Sequence, residues 1–256
     1  MKKKFEDINI IAEIGTAHEG SFALACSYIK SAKKAGADAV KFQTHISEAE
    51  SSVYDKFRVK SRFIDDKSRQ KFWERTSFSA EQYKKLKNFT EGLGMFFLSS
   101  PFSIEAVDLL KLINIQAWKI GSGELTNYPL IDKIAQTKKP MIISTGLSDI
   151  KEIKETVKWI SKYHKKIVIL QCTSLYPCPD EKIGLNVISD LKKTFPYRHL
   201  TKKEFDETLD FVSTGGYSLS EYGKFHQIVK INKKLYVKSV CQVFIYRKIK
   251  KRVQRK

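Results

Sequence analysis

The feature that most constrains the fold of this chain is a regular alternation of short apolar runs with longer helix-like segments. Each apolar run fits a buried β-strand, and the run-plus-helix unit repeats roughly every 30 residues. The runs are Asn9–Gly15, Ala39–Thr44, Met95–Pro101, Ala117–Gly123, Pro140–Gly146 and Lys166–Ser174. This alternation is typical of a parallel sheet whose crossover helices are right-handed.

Two architectures fit six such units, an open doubly wound sheet and an incomplete (β/α)₈ barrel. No GxGxxG or P-loop sequence follows a strand, which argues against a nucleotide-binding sheet. Polar residues follow nearly every predicted strand, which favours the barrel. We therefore predict an α/β fold, a TIM-type (β/α) barrel that is incomplete and has about six recognisable units.

The regularity is broken in two places. The segment Ser47–Ser77 is charged and irregular and predicts a long loop over one face. After Pro196 the pattern is weak, with a predicted helix at Thr201–Phe211 and one predicted strand at Leu235–Tyr246. We therefore divide the chain into a barrel at residues 1–196 and an atypical segment at 197–256.

Charge and cysteine usage narrow the function classes. The formal net charge is +19, and residues 247–256 alone hold seven Lys or Arg. A solvated basic terminus explains this cluster as well as a nucleic-acid or lipid surface does. The four cysteines form no CxxC pair, and no apolar run reaches the length of a membrane span. These features favour a cytoplasmic protein with reduced thiols, without a membrane or nucleic-acid partner.

Two lysines lie inside otherwise apolar strands. Lys41 and Lys119 are costly to bury unless each meets an anion. One interpretation is that they form ion pairs with Glu13 and Glu124. The other is that they hold a doubly anionic ligand, with hydroxyl donors from nearby strand ends: Ser100, Ser122 and Ser144.

The glycines that bracket Ser122 support the second interpretation. In Lys119–Glu124 the predicted strand passes into a tight Gly-Ser-Gly turn whose backbone N–H groups could bind phosphate or carboxylate. Glu13 and Glu124 could then act as acid or base. His18 and His45 follow strand ends, where either a site residue or a solvated loop histidine is expected.

The ordered motifs resemble those of the sialic acid synthase family, which makes N-acetylneuraminic, legionaminic or pseudaminic acid. The matching segments, from about Ile10 to Phe195, are IAEIGTAHEGS, AGADAVKFQTHI, FFLSSPFS, WKIGSGELTNYPLI, KPMIISTG and QCTSLYPCPDEKIGLNVI. The resemblance implies a (β/α)₈ barrel that condenses phosphoenolpyruvate with an N-acetylated amino-sugar aldehyde and releases phosphate. It also implies a divalent metal, manganese or magnesium, and a homodimer.

The resemblance assigns roles to single positions. Lys41, Ser100, Lys119, Ser122 and Ser144 match phosphoenolpyruvate-holding positions. The positions matching catalytic groups that face the sugar or the intermediate are Glu13, Glu124 and Tyr176. Further substrate contacts are expected from Gln43 and from Ser174, which stands where some relatives have Asn.

The chain departs from the family pattern after Pro196. One expected metal-binding histidine segment is not recognisable, and the second is matched weakly by Tyr197–Thr201, which would make His199 a metal ligand. No C-terminal antifreeze-like domain is recognisable, so this part is expected to be truncated or rearranged. Two further hypotheses therefore stay open: a catalytically impaired remnant that still binds phosphoenolpyruvate, and a binder of nucleic acid or membrane surfaces acting through Arg247–Lys256.

Overall fold

A computed structural model describes residues 10–57, 65–175 and 178–195, together with four later strands. The strands are β1 (Ile10–Gly15), β2 (Ala39–Thr44), β3 (Phe96–Pro101), β4 (Trp118–Ile120), β5 (Met141–Ser144), β6 (Ile167–Cys172), β7 (Val212–Thr214), β8 (Gln227–Ile231), β9 (Lys234–Lys238) and β10 (Val243–Ile245). The helices are α1 (Phe22–Lys34), α2 (Ser47–Glu50), α3 (Arg69–Thr76), α4 (Ala80–Gly92), α5 (Ile104–Leu112), α6 (Tyr128–Ala135), α7 (Ile150–Ile160) and α8 (Val187–Thr194).

Eight of these strands form a closed ring. Strands β1 to β6 lie side by side in chain order and pair in parallel, and β7 adds in parallel to β6. Strand β10 then closes the ring between β7 and β1, antiparallel to both. The predicted incomplete TIM-type barrel with six β/α units is confirmed, and its closing strand is reversed relative to a complete (β/α)₈ repeat.

Local sequence signals fix where the helices begin. Ser21, Ser79 and Asp149 each accept a backbone N–H in the first turn of α1, α4 and α7. The predicted capping box of Ser79 and Gln82 is present, since each side chain bonds the other's backbone. These caps satisfy N–H groups that have no partner inside the helix.

Three predictions about irregular regions need correction or fall outside the described residues. The segment predicted as a loop at 47–77 contains α2 and α3. The single strand predicted at 235–246 is divided, because β9 ends at Lys238 and β10 begins at Val243. The predicted helix at 201–211 lies outside the described residues, and the domain boundary at 196 stays a prediction.

None of the described helices has the length and apolar character to cross a bilayer.

The barrel has two apolar layers because successive strand residues face opposite sides. The outer layer packs against the helices and includes Val40, Phe42, Phe97, Trp118 and Ile143. The inner layer takes one residue from each unit: Ile11, Ala39, Leu98, Ala117, Ile142 and Leu170. This inner layer is the floor on which the candidate site lies.

Candidate active site inside the barrel

A ring of polar side chains lies directly above the inner apolar layer. Because side chains alternate along a strand, the residue two positions after each floor residue also faces inward. These residues are Glu13, Lys41, Ser100, Lys119, Ser144 and Cys172. Alternation therefore places both predicted lysines, one predicted glutamate and two predicted serines in one interior.

Lys41 is the most constrained of these groups. It is 4% exposed, forms an ion pair with Glu13 on the neighbouring strand, and lies 3.4 Å from the Ser100 hydroxyl. Strand register explains the pairing, since Glu13 stands opposite Lys41 where β1 meets β2. Of the two ion pairs that one interpretation of the sequence predicted, the pair of Lys41 with Glu13 is therefore observed.

Lys119 is equally buried but has different neighbours. Its ammonium group donates to the Ser144 hydroxyl and, at 2.8 Å, to the carbonyl of Ile120. Burial and the nearby charge of Lys41 lower the pKa of Lys119 to about 7. The two lysines are thus close enough for their charges to interact.

Glu13 completes this charged group. Burial raises the pKa of its carboxyl group, although Lys41 and Lys119 act in the opposite direction. The carboxylate also has a backbone hydrogen bond from Gly15. When all three groups are ionised, two buried cations share one carboxylate, and the excess positive charge favours binding of an anion.

The predicted turn after β4 lies beside this group. A short 3₁₀ helix runs from Ser122 to Glu124, and the Ser122 hydroxyl accepts the backbone N–H of Gly146 at 3.1 Å. The Glu124 carboxylate accepts a hydrogen bond from Asn127 at 2.8 Å. Glu124 is therefore held towards the start of α6, and its contact differs from the predicted ion pair with Lys119.

The remaining predicted residues fall into two sets. Ser174 is exposed and lies against the loop after β5, because a Cβ atom at Gly146 would approach its hydroxyl to 2.5 Å. Gln43 is half-buried on β2 and faces inward two residues after Lys41. Tyr176 and His199 lie outside the described residues, so their roles stay predictions.

Both strand-end histidines are buried rather than solvated. His18 packs between Phe42 and Phe78, and its Nδ1 atom accepts the backbone N–H of Gly20 at 3.2 Å. His45 contacts Gln43 and Glu50, a set of contacts that the sequence analysis missed. The short spacing of Gln43, His45 and Glu50 in the sequence was the only available sign of these contacts. It was not enough, because the contact of Glu50 with His45 depends on the four-residue helix α2.

The described residues supply no evident metal centre. Within those parts of the chain, no three His, Cys, Asp or Glu side chains lie close enough together to hold an ion. The predicted ligand His199 falls outside them. Among the polar side chains of the interior ring, two lysines face one glutamate and two serines.

Comparison with known proteins shows which family the chain belongs to. The model named "NeuB family" matches residues 28–199, more than half of the chain. The chain belongs to the NeuB family. Membership in this sialic acid synthase family confirms the resemblance predicted from the motifs.

Individual proteins are also similar in sequence to this NeuB family member. An uncharacterized protein from Methanocaldococcus jannaschii is 41% identical over 75% of this chain and 54% of its own length. The human N-acetylneuraminate-9-phosphate synthase is 35% identical over 73% of this chain and 52% of its own length. This NeuB family member thus spans about half the length of the curated relatives it matches.

A solved relative extends the likeness to three dimensions. The sialic acid synthetase of Leptospira borgpetersenii, solved in complex with citrate, has a TM-score of 0.65 and 28% identity, over 74% of this chain and 62% of its own. A second model, a winged helix domain of large helicase-related proteins, matches residues 168–250. That match overlaps the NeuB region and covers less than half of the chain.

Proposed function

We propose that this chain is a synthase that condenses phosphoenolpyruvate with an N-acetylated amino sugar, N-acetylmannosamine or a related hexosamine. The products are a sialic-acid-type nonulosonic acid and phosphate. The observation that supports this most strongly is the pair of buried lysines, Lys41 and Lys119, in one serine-lined interior. Family membership supplies the substrate class.

The lysines and serines would bind the phosphate and carboxylate groups of phosphoenolpyruvate. An anion would affect Lys119 most. A negative charge beside its ammonium group raises the pKa that burial lowers, and so stabilises the charged form. Ser100 and Ser144 already contact the two ammonium groups and can donate hydrogen bonds to the same anion. Such preorganised donors act strongly in a water-poor interior.

The reaction then needs a proton donor near the sugar aldehyde. In the proposed reaction C3 of phosphoenolpyruvate attacks the aldehyde carbon, and the aldehyde oxygen takes up a proton. Water adds at C2, and the C–O bond to phosphate breaks to leave a 2-keto acid. Glu124 and Tyr176 are candidates for this donor, and Glu13 becomes one when it takes up a proton, which burial favours by raising its pKa.

A divalent metal, a homodimer and a cytoplasmic location belong to the same proposal. Manganese or magnesium would act as a Lewis acid, with His199 as the candidate ligand. Because no described cluster fits a metal, the roles given above involve protein side chains only. The dimer can be checked by light scattering of the purified chain.

The test is phosphate release from phosphoenolpyruvate with N-acetylmannosamine, in chelator-treated protein with and without added Mn²⁺. We expect release only when both substrates and Mn²⁺ are present. Lys119→Met, which removes a charged contact, should lose at least about a hundredfold in rate. Lys85→Ala, which alters an exposed ion pair with Glu81, is the matched control.

Three results would contradict the synthase. Folded wild-type protein that binds phosphoenolpyruvate without releasing phosphate would support the impaired-remnant hypothesis instead. Release that Lys119→Met leaves unchanged would remove the proposed site. Protein that binds neither substrate would remove both functions.

A further inference from the structure

A chain of three side chains, with the buried His45 at its centre, runs from α2 to the barrel interior. His45 Nδ1 lies 2.7 Å from Glu50 Oε2, and His45 Nε2 lies 3.1 Å from Gln43 Oε1. The other Glu50 oxygen accepts the backbone N–H of Ile46 at 2.5 Å. Both oxygens of Glu50 are therefore engaged, and His45 connects this carboxylate to Gln43.

The ring of His45 is fixed from both faces. Trp73 stacks on one side and Phe102 on the other, with ring centroids 3.6 and 4.4 Å away and interplanar angles of 10°. Ser77 also donates a hydrogen bond to the His45 carbonyl at 2.8 Å. The imidazole therefore has little freedom to turn, and its two nitrogens keep their directions.

The hydrogen-bond chemistry determines how Gln43 is oriented. An amide oxygen can only accept, so His45 Nε2 must carry a proton and donate it to Gln43 Oε1. At the other end of the ring, one proton lies between His45 Nδ1 and Glu50 Oε2. Gln43 consequently directs its NH₂ group away from His45.

The Gln43 NH₂ group and the Glu13 carboxylate both lie close to Gly15. A Cβ atom built at Gly15 would lie 3.3 Å from Glu13 Oε1 and 3.9 Å from Gln43 Nε2. Both atoms therefore border Gly15 on the same side, with a hydrogen-bond acceptor near a donor. The Glu13 carboxylate pairs with Lys41 and has a backbone hydrogen bond from Gly15, and its two oxygens have capacity for a further donor.

We propose that His45, held by Glu50, is a positioning residue that orients Gln43 so that Gln43 and Glu13 together bind one hydroxyl group of the amino sugar. A hydroxyl group is the ligand that donates to Glu13 Oε1 and accepts from Gln43 Nε2 at the same time. This inference rests on the proposed function for the identity of the ligand. The orientation of Gln43 does not depend on it.

Paired variants test the orientation. Glu50→Gln can donate to His45 Nδ1 and so keeps the proton on Nε2, whereas His45→Phe keeps the stacked ring and removes both nitrogens. We expect the KM for the amino sugar to rise about fivefold to tenfold in His45→Phe, the effect of one lost hydrogen bond. The KM for phosphoenolpyruvate should change less than about twofold in both variants, and Glu50→Gln should retain the wild-type sugar KM.

Monodeoxy analogues of N-acetylmannosamine identify the bound hydroxyl group. In wild-type protein one analogue should lose about tenfold in kcat/KM, and in His45→Phe that penalty should disappear. Equal penalties in both proteins would overturn the proposal. A merely structural role for His45 would lower kcat for every analogue alike, which would also overturn it.

Nitrogen NMR of the imidazole gives a readout that needs no activity. We expect a protonated His45 Nε2 in wild-type protein and in Glu50→Gln. A bare Nε2 would mean that the Gln43 amide is reversed, and the inference would fail even if the synthase were active. Conversely, a protonated Nε2 in a protein that never releases phosphate would remove the proposed function and keep the orientation of Gln43.

Discussion

At the scale of single residues, burial decides the behaviour of the charged groups. Lys41 keeps a carboxylate partner, whereas the pKa of Lys119 falls because burial and Lys41 disfavour its charge. Glu13 is affected in the opposite sense, because burial raises its pKa. An anionic substrate would raise the pKa of Lys119 again, so binding of the substrate should be linked to protonation of Lys119.

His18 gives a prediction at this scale that does not depend on function. Burial lowers its pKa from 6.5 to about 4, so the folded protein favours the neutral ring. The stability that this contributes is complete above pH 6.5 and is lost as pH falls towards 4. By pH 5 the wild type should have lost about 2 kcal/mol of unfolding free energy through this group.

The measurement is urea unfolding of wild type and His18→Phe at pH 7.5 and pH 5. Near neutral pH the variant should be about 1 kcal/mol less stable, because it loses the bond from the Gly20 N–H. At pH 5 it should be at least as stable as the wild type. Identical pH dependence of the two proteins would contradict the assignment.

At the scale of elements, the segment between β2 and α4 packs against the loop after β1. Arg75 on α3 donates to the Glu19 carbonyl at 3.1 Å and pairs with the Glu19 and Asp66 carboxylates. A Cβ atom at Gly20 would lie 2.1 Å from the Arg75 carbonyl oxygen. The close approach of these two segments therefore requires glycine at position 20.

Gly20→Ala tests this contact against a matched control. Gly20 and Gly36 both have positive φ, +80° and +88°, but a Cβ atom at Gly36 would meet nothing within 4 Å. Both alanine variants should lose about 1 kcal/mol to backbone strain, and Gly20→Ala should lose a further 2 kcal/mol or so to the clash. Denaturant unfolding measures both, and equal losses would show that the segments do not touch.

The same elements show what the sequence could and could not predict. Strand alternation was enough to predict that Lys41 and Lys119 face one interior, because every second residue of a buried strand points the same way. It could not predict the contact of His45 with Trp73, since α3 reaches His45 only through tertiary packing. The antiparallel closure by β10 was likewise missed, because a three-residue strand carries little periodic signal.

At the scale of the whole molecule, the barrel brings strand ends from distant parts of the chain to one interior. Glu13 and Ser144 are far apart in sequence, and ring closure places them in the same polar layer. The floor of apolar residues beneath this layer excludes water from one side. A NeuB family barrel of this kind supports our proposal that the two lysines act on one small anion.

Calorimetric titration of phosphoenolpyruvate into wild type, Lys41→Met, Lys119→Met and the double variant tests that claim directly. If both ammonium groups hold one anion, each single variant should bind at least about tenfold more weakly, and the double loss should fall short of the sum of the single losses. Circular dichroism confirms that each variant is folded. Unchanged affinity in either single variant, or strictly additive losses, would contradict the account.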